Sequence, residues 1–212
     1  MKIKIILIVL LISTIIFAQN TYEVKPGVKN NAIVLELSNV STTESANNLE
    51  VKLIRSSQNL IFNQKEKMIE NITQGTEKEA TFTFDVEYNI GKAAADTIEF
   101  MITNNQSVYL IKKFILQYSL PTEYKLEQNY PNPFNPTTKI RYSIPNLGPD
   151  LQNVNLTVYD ILGNQIKTLV DEPKETGYHE IDFNASVLAS GVYVYRLTAG
   201  NFVSVKKMMV LK

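Results

Sequence analysis

Cysteine is absent from the 212 residues, and histidine occurs once, at position 179. Without cysteine no disulfide can staple the fold, so an oxidising compartment gives it no help and the core must suffice by itself. A lipid anchor on a cleavage-site cysteine is excluded for the same reason. Zinc and copper sites of the usual Cys/His sets are disfavoured, as are the acid–base and nucleophilic schemes that lean on histidine. An excess of one charge is lacking too, with 21 Lys+Arg against 21 Asp+Glu. A nucleic-acid partner would leave a basic stripe, so none is expected. The early glycines, Gly27, Gly75 and Gly91, are isolated and make no phosphate loop. Ser186 and Ser190 lack the Gly-x-Ser-x-Gly elbow. After the N-terminus there is no second long apolar run, so no transmembrane segment is expected in the mature chain.

What is present begins with that N-terminus. Met1-Lys2-Ile3-Lys4 is a short positive segment, and Ile5 to Phe17 is apolar except for Ser13 and Thr14. Ala18 then offers a small residue for cleavage. This reads as a secretory signal peptide over 1–18. A spanning helix needs roughly 20 apolar residues, which makes an uncleaved anchor the lesser alternative.

Residues 19–118 read as strands. Ile33, Leu35 and Leu37 alternate with polar neighbours, as do Leu49, Val51 and Leu53, then Phe82, Phe84, Val86 and Tyr88, then Ile98, Phe100 and Ile102. Period-two alternation puts one face inward. Val108 to Leu116 closes the region, with a phase change expected near Ile111-Lys112-Lys113. Turn-rich stretches separate the runs, and no long helical pattern intervenes, which favours an antiparallel sandwich. The pieces Leu35-Glu36-Leu37-Ser38-Asn39, Ala46 to Val51 and Gly75 to Phe84 resemble a CARDB-like immunoglobulin-type domain. Chemistry is sparse here. Glu77 and Glu79 flank Lys78 and read as a solvated turn. Asp85 with Glu87, and Asp182 near Asn184, make no calcium loop. Tyr22, Phe62, Tyr88 and Tyr109 could line a sugar-binding face, or pack. Asp96-Thr97-Ile98 resembles a short O-glycosylation acceptor sequence.

Residues 119–125 form a linker around Pro121, and 126–212 a second β region. Its most unusual stretch is Asn129-Tyr130-Pro131-Asn132-Pro133-Phe134-Asn135-Pro136. Each proline fixes φ and removes a backbone donor, and pushes the preceding residue into extended geometry. The stretch should be stiff and outside any ladder, with Tyr130 and Phe134 as apolar anchors. Strands are expected near 137–144, 153–160, 164–170, 177–184, 191–198 and 201–211. Asp160 to Asn164 and Ala199-Gly200-Asn201 should be hairpin turns, the first with Gly163 or Asn164 at positive φ. Asn184 to Ser190 should make one helical turn. Val192, Val194 and Arg196 share one face of the following strand, and Tyr193, Tyr195 and Leu197 the other, as if both faces were covered. Lys206 and Lys207 point to opposite sides of the last strand.

The proline-rich run, then Val158-Tyr159-Asp160-Ile161-Leu162-Gly163, Gly177-Tyr178-His179, Gly191-Val192-Tyr193 and Lys206-Lys207-Met208 follow in order. They resemble the type A C-terminal sorting domain of proteins exported by the type IX secretion system of Bacteroidetes. The resemblance implies a sorting motif carried by Asn129 to Pro136 with Tyr159, Asp160, Gly163, Gly191, Tyr193, Lys206 and Lys207. It implies the secretion translocon as partner and a location outside the cell or on its outer surface, reached through the periplasm. The expected fold is all-β, with two antiparallel immunoglobulin-like β-sandwich domains in tandem after a cleaved signal peptide. The expected role of 19–118 is binding or scaffolding, with a surface glycan or another surface protein as its partner. A carbohydrate-binding or adhesive module is the alternative, and a small hydrolase a more distant one. No catalytic, cofactor-binding or metal residue is expected.

Overall fold

Alternating sequence makes strands throughout, and the described residues (2–9, 20–104, 109–147 and 151–212 of a computed structural model) contain no helix. The chain separates into two compact units, Met1–Ser119 and Leu120–Lys212. Each has its own core.

The first unit comprises β1 (Lys2–Val9), β2 (Asn20–Val24), β3 (Asn31–Asn39), β4 (Ala46–Arg55), β5 (Leu60–Phe62), β6 (Glu66–Ile72), β7 (Glu77–Val86), β8 (Ala95–Thr103) and β9 (Tyr109–Tyr118). One sheet runs β1-β3-β7-β5 and the other β2-β9-β8-β4-β6. Pairing is antiparallel except for β1 with β3 and β2 with β9. The apolar rows of both sheets meet in one core that includes Ile33, Leu35, Phe82, Phe84, Phe100 and Phe114. Phe82 and Phe100 approach to 4.7 Å across it. Aromatic pairs at such distances add roughly 0.5–1.5 kcal/mol beyond their area.

Three features depart from the sequence reading. Strands β2, β5 and β6 were not expected, because they are short or do not alternate: Met68 and Ile69 are adjacent, with Met68 exposed and Ile69 buried. The phase change near Lys112 does not occur. Strand β9 pairs with β8 in unbroken register from Ala95↔Gln117 to Thr103↔Tyr109. That continuous ladder keeps Lys112 on the inward row with Phe114, Leu116 and Tyr118, and turns Ile111 out to 42% exposure. Burial pulls the Lys112 ammonium below its ordinary pKa. Finally, Lys2–Val9 of the expected leader lies as a strand against β3. The expected cleavage point at Ala18 lies outside the described residues. No helix of the described residues is long and apolar enough to cross a membrane.

The second unit comprises β10 (Lys125–Leu126), β11 (Thr137–Ile144), β12 (Gln152–Tyr159), β13 (Gln165–Lys174), β14 (Gly177–Asn184), β15 (Gly191–Ala199) and β16 (Phe202–Val210). Sheet β10-β11-β14 packs on sheet β13-β12-β15-β16. Ile140, Tyr142, Leu156, Val158, Phe183, Tyr195 and Leu197 lie between them. Both hairpin turns form where expected, with Gly163 at φ 89° and Gly200 at φ 56°, a region costly for other residues. The stretch after Asn184 is a single hydrogen-bonded turn, Leu188 N to Ala185 O at 2.9 Å, and not helix. The Asn184 side chain sets it up by accepting from Ser186 N at 2.8 Å. Strand β15 is covered on one face only. Tyr195 and Leu197 are fully buried, while Val192 and Arg196 on the other face are exposed.

Candidate functional site

The proline-rich lead-in cannot join a ladder, so its backbone needs other partners. It finds them on three strands. The hydroxyl of Tyr195, in β15, donates to Glu127 O at 2.8 Å and accepts from Asn129 N at 2.8 Å. Burial pushes that hydroxyl's pKa up to about 12, partly offset by the bond from Asn129. The buried Asn129 amide donates to Pro131 O and to Thr138 Oγ1, each at 3.0 Å, and the Thr138 hydroxyl donates to Pro131 O at 2.8 Å. Tyr130 and Lys139 exchange both backbone bonds at 3.0 Å.

Farther along, the lead-in reaches the last strand. Met209 N donates to Asn132 Oδ1 at 2.9 Å. Phe134 N donates to Met209 O, and Leu211 N to Phe134 O, each at 3.0 Å. Gln128 Nε2 donates to Lys207 O at 2.7 Å. Pro136 O accepts from Ala185 N at 2.8 Å. The motif's beginning and the chain's last strand are therefore one physical unit. The Phe134 side chain is 3% exposed and sits 6.1 Å from Phe183 in the core. Tyr130 is not an anchor: it is 80% exposed. Its backbone is fixed to β11 while its ring turns to solvent with Pro131, Asn132, Pro133, Asn135 and Pro136. The peptide bonds before Pro131 and Pro133 are cis.

The other motif residues lie on the β12–β16 sheet. Asp160 closes the β12–β13 turn: Oδ1 accepts from Leu162 N and Asn164 N, each at 2.9 Å, and Oδ2 from Asn164 Nδ2 at 2.8 Å. The Asn164 side chain, then the turn amides, hold this carboxyl below its ordinary pKa. Arg196 Nη2 donates to the Tyr159 hydroxyl at 2.8 Å, with its guanidinium carbon 5.0 Å from that ring's centroid. Gly191 is register partner to Val210. The Tyr193 hydroxyl donates to Ala189 O at 3.1 Å. Lys207 is exposed on the outer face with Val203 and Val205, and Lys206 is half-buried on the inner row opposite Tyr195. The expected open last strand is partly closed, because Asn132, Phe134 and Gln128 occupy backbone groups of its final residues. Gln128, Thr138 and Tyr195 were not singled out from sequence. The only signal for them was the need of a proline-rich backbone for side-chain partners.

Other candidates serve structure. His179 stacks on Tyr142, ring centroids 5.0 Å apart, and its Nε2 lies 3.0 Å from Glu175 O. Burial, with help from Lys174, moves its pKa down. Asp96 accepts from Ser57, Asn59 and Tyr118, tying the start of β8 to the loop after β4. Thr97 is half-buried within β8. Phe62 and Tyr88 are buried, and Phe62 stacks on Phe84 at 5.1 Å. Tyr22 is half-buried, 6.3 Å from Phe114. These three pack and do not form an aromatic binding face. The Tyr109 side chain lies outside the described residues. Among the described residues no group of three or more His, Asp or Glu could hold a metal ion.

Residues 128–211 match the family of secretion system C-terminal sorting domains. No curated protein matches the chain. Solved structures it resembles include dimeric latent PorU from Porphyromonas gingivalis, at 15% identity and TM-score 0.34 over 92% of this chain and 19% of that one. The calcium binding domain CBD12 of CALX1.1 aligns at 11% identity and TM-score 0.34, over 84% of this chain and 76% of that chain. A Salmonella alpha-2-macroglobulin mutant aligns at 8% identity and TM-score 0.29, over 91% and 14%. The chain thus spans under a fifth of the length of PorU. Residues 128–211 are a type IX secretion C-terminal sorting domain, a module that implies export to the cell surface or the extracellular space.

Proposed function

We propose that residues 126–212 are read by the type IX translocon, after export to the periplasm and removal of residues 1–18, and that 19–118 is a non-enzymatic binding or scaffold module delivered to the outer surface. The observation that carries this reading is the joining of the proline-rich lead-in to the last strand. The motif residues near both ends of the domain are held together through Asn132, Phe134 and Met209. Only a folded domain brings them to one place, so the sorting signal is a surface and not a linear tag. The separate cores support delivery of the first unit as a passenger.

The test is transfer. Residues 120–212 fused behind a signal peptide and a fluorescent reporter should carry the reporter to the surface of a host with the machinery. The chain truncated after residue 125 should stay in the periplasm with its first unit folded. Surface arrival of the truncated chain defeats the assignment.

A further inference from the structure

Strand β3 lies between β1 and β7, and without residues 1–18 it would be the long edge of its sheet. Edge strands are ordinarily blunted by brevity, lysine, proline or a bulge. The other edges follow that rule: β2 has five residues, β5 three, and β6 carries Glu66, Lys67 and Glu70. Strand β3 has nine residues, Asn31-Ala32-Ile33-Val34-Leu35-Glu36-Leu37-Ser38-Asn39, with no lysine, no proline and an unbroken register against β7. Ile33, Leu35 and Leu37 are fully buried. Such an edge calls for a partner strand. In the full chain it has one: β1 runs parallel to it through eight successive positions, from Lys2↔Ala32 to Val9↔Asn39.

That partner lies wholly within the segment read as a signal peptide. Removing 1–18 therefore strips the one strand that closes β3. We infer that the mature protein is a strand acceptor, whose β3 edge takes an extended strand donated by another protein and completes the sandwich. The donor runs parallel to β3, as β1 does. It is about eight residues long and apolar opposite Leu35–Asn39, where the full chain places Ile5 to Val9. The ladder's backbone bonds supply affinity, and the apolar row supplies selectivity. This inference rests on leader removal, and the experiment separates the two.

The experiment compares two forms by amide hydrogen exchange: the protein recovered from the surface of its native host, and the full chain made without secretion so that residues 1–18 remain. Intact mass of the first form comes first. If it retains Met1, the leader reading fails and β3 keeps its own partner. With the leader gone, the amides of β3 that do not bond to β7 should lose protection, while β7 stays protected in both forms. Adding a synthetic peptide of residues 2–9 should restore that protection, and a peptide of equal length with polar residues at positions 5–9 should not. Full protection of β3 in a processed, monomeric protein means the edge is closed from within and overturns the inference. Protection that appears only with concentration, together with dimers, means a second copy fills the edge and overturns donation by another protein. Equal rescue by both peptides removes the apolar selectivity and with it the proposed donor.

Discussion

Tyr195 binds Asn129 across the sorting domain, its hydroxyl 2.8 Å from the Asn129 amide nitrogen and 2.8 Å from Glu127 O. A side chain from the middle of β15 thus substitutes for the ladder that the proline-rich segment cannot make. The hydroxyl of Tyr142 is as deeply buried and has no hydrogen-bond partner among the described residues.

That contrast gives the first prediction. Tyr195→Phe leaves a buried amide and a carbonyl without their partner, which costs about 1–3 kcal/mol. Tyr142→Phe removes a hydroxyl that contributes no hydrogen bond, and should be neutral or stabilising. Denaturant unfolding of the two variants against the parent checks the order. Equal losses would show that the Tyr195 bonds do not hold the lead-in.

Phe134 should be the apolar pin of the same segment. Its ring fills a site bounded by Phe183 and the end of β16. Phe134→Ala should cost roughly 3–5 kcal/mol, whereas Tyr130→Ala should cost little, since Tyr130 is solvent-exposed. Thermal melts report the difference. Exchange at β16 should rise in Phe134→Ala and not in Tyr130→Ala.

His179 gives the sorting domain a pH dependence with a definite sign. Its folded pKa lies below its ordinary 6.5 because of burial. The unfolded chain then binds more protons than the folded one just below pH 6.5, so stability rises with pH there. The contribution is complete above about 6.5, is lost as pH falls below it, and levels off beneath the folded pKa. Glu180 acts in a lower window. Although burial alone would raise its pKa, hydrogen bonds from Lys139 and Arg141 hold it below its ordinary value. Its contribution is lost only as pH falls through the carboxylate range. His179→Gln should flatten the slope just below about pH 6.5 and leave the more acidic one. Unfolding midpoints across pH 4–8 check this. An unchanged slope in the variant would assign it to other groups.

Much of this was legible in the sequence, for physical reasons. Strands β11 and β14 stand at the expected positions, because Ile140, Tyr142 and Ile144 alternate strictly between Pro136 and Pro145, and Gly177 opens the second run while the small-residue stretch after Asn184 ends it. The turn at Asp160 was legible because an Asp side chain caps its own turn and Gly163 supplies the positive φ. Tyr130 was misread, since an aromatic ring beside proline says nothing about which way its backbone will be pinned. Lys112 was misread because local alternation was weighed where nine paired positions of β8 and β9 decide. Strand β15 carries bulk on both faces, yet a two-layer unit can cover only one. The clip of Gln128, Thr138 and Tyr195 spans up to 79 residues of chain, and no short-range pattern encodes such a meeting.

The two lysines before the end can now be told apart. Lys207 stands exposed on the outer face beside Val203 and Val205, while its carbonyl is held by Gln128. Lys206 lies half-buried on the inner row opposite Tyr195. A translocon that reads the outer face would meet Lys207 and not Lys206. Lys207→Gln should leave stability within about 0.5 kcal/mol, as surface changes usually do, because the Gln128 bond uses only its backbone. Secretion should nevertheless fall. Lys206→Gln should leave secretion closer to the parent. Surface and periplasmic fractions of each single variant, measured beside its unfolding midpoint, decide the matter. Normal secretion of Lys207→Gln would reduce this lysine to guarding a strand edge against aggregation. A secretion defect that tracks lost stability in both variants would show that the machinery reads foldedness and not this face.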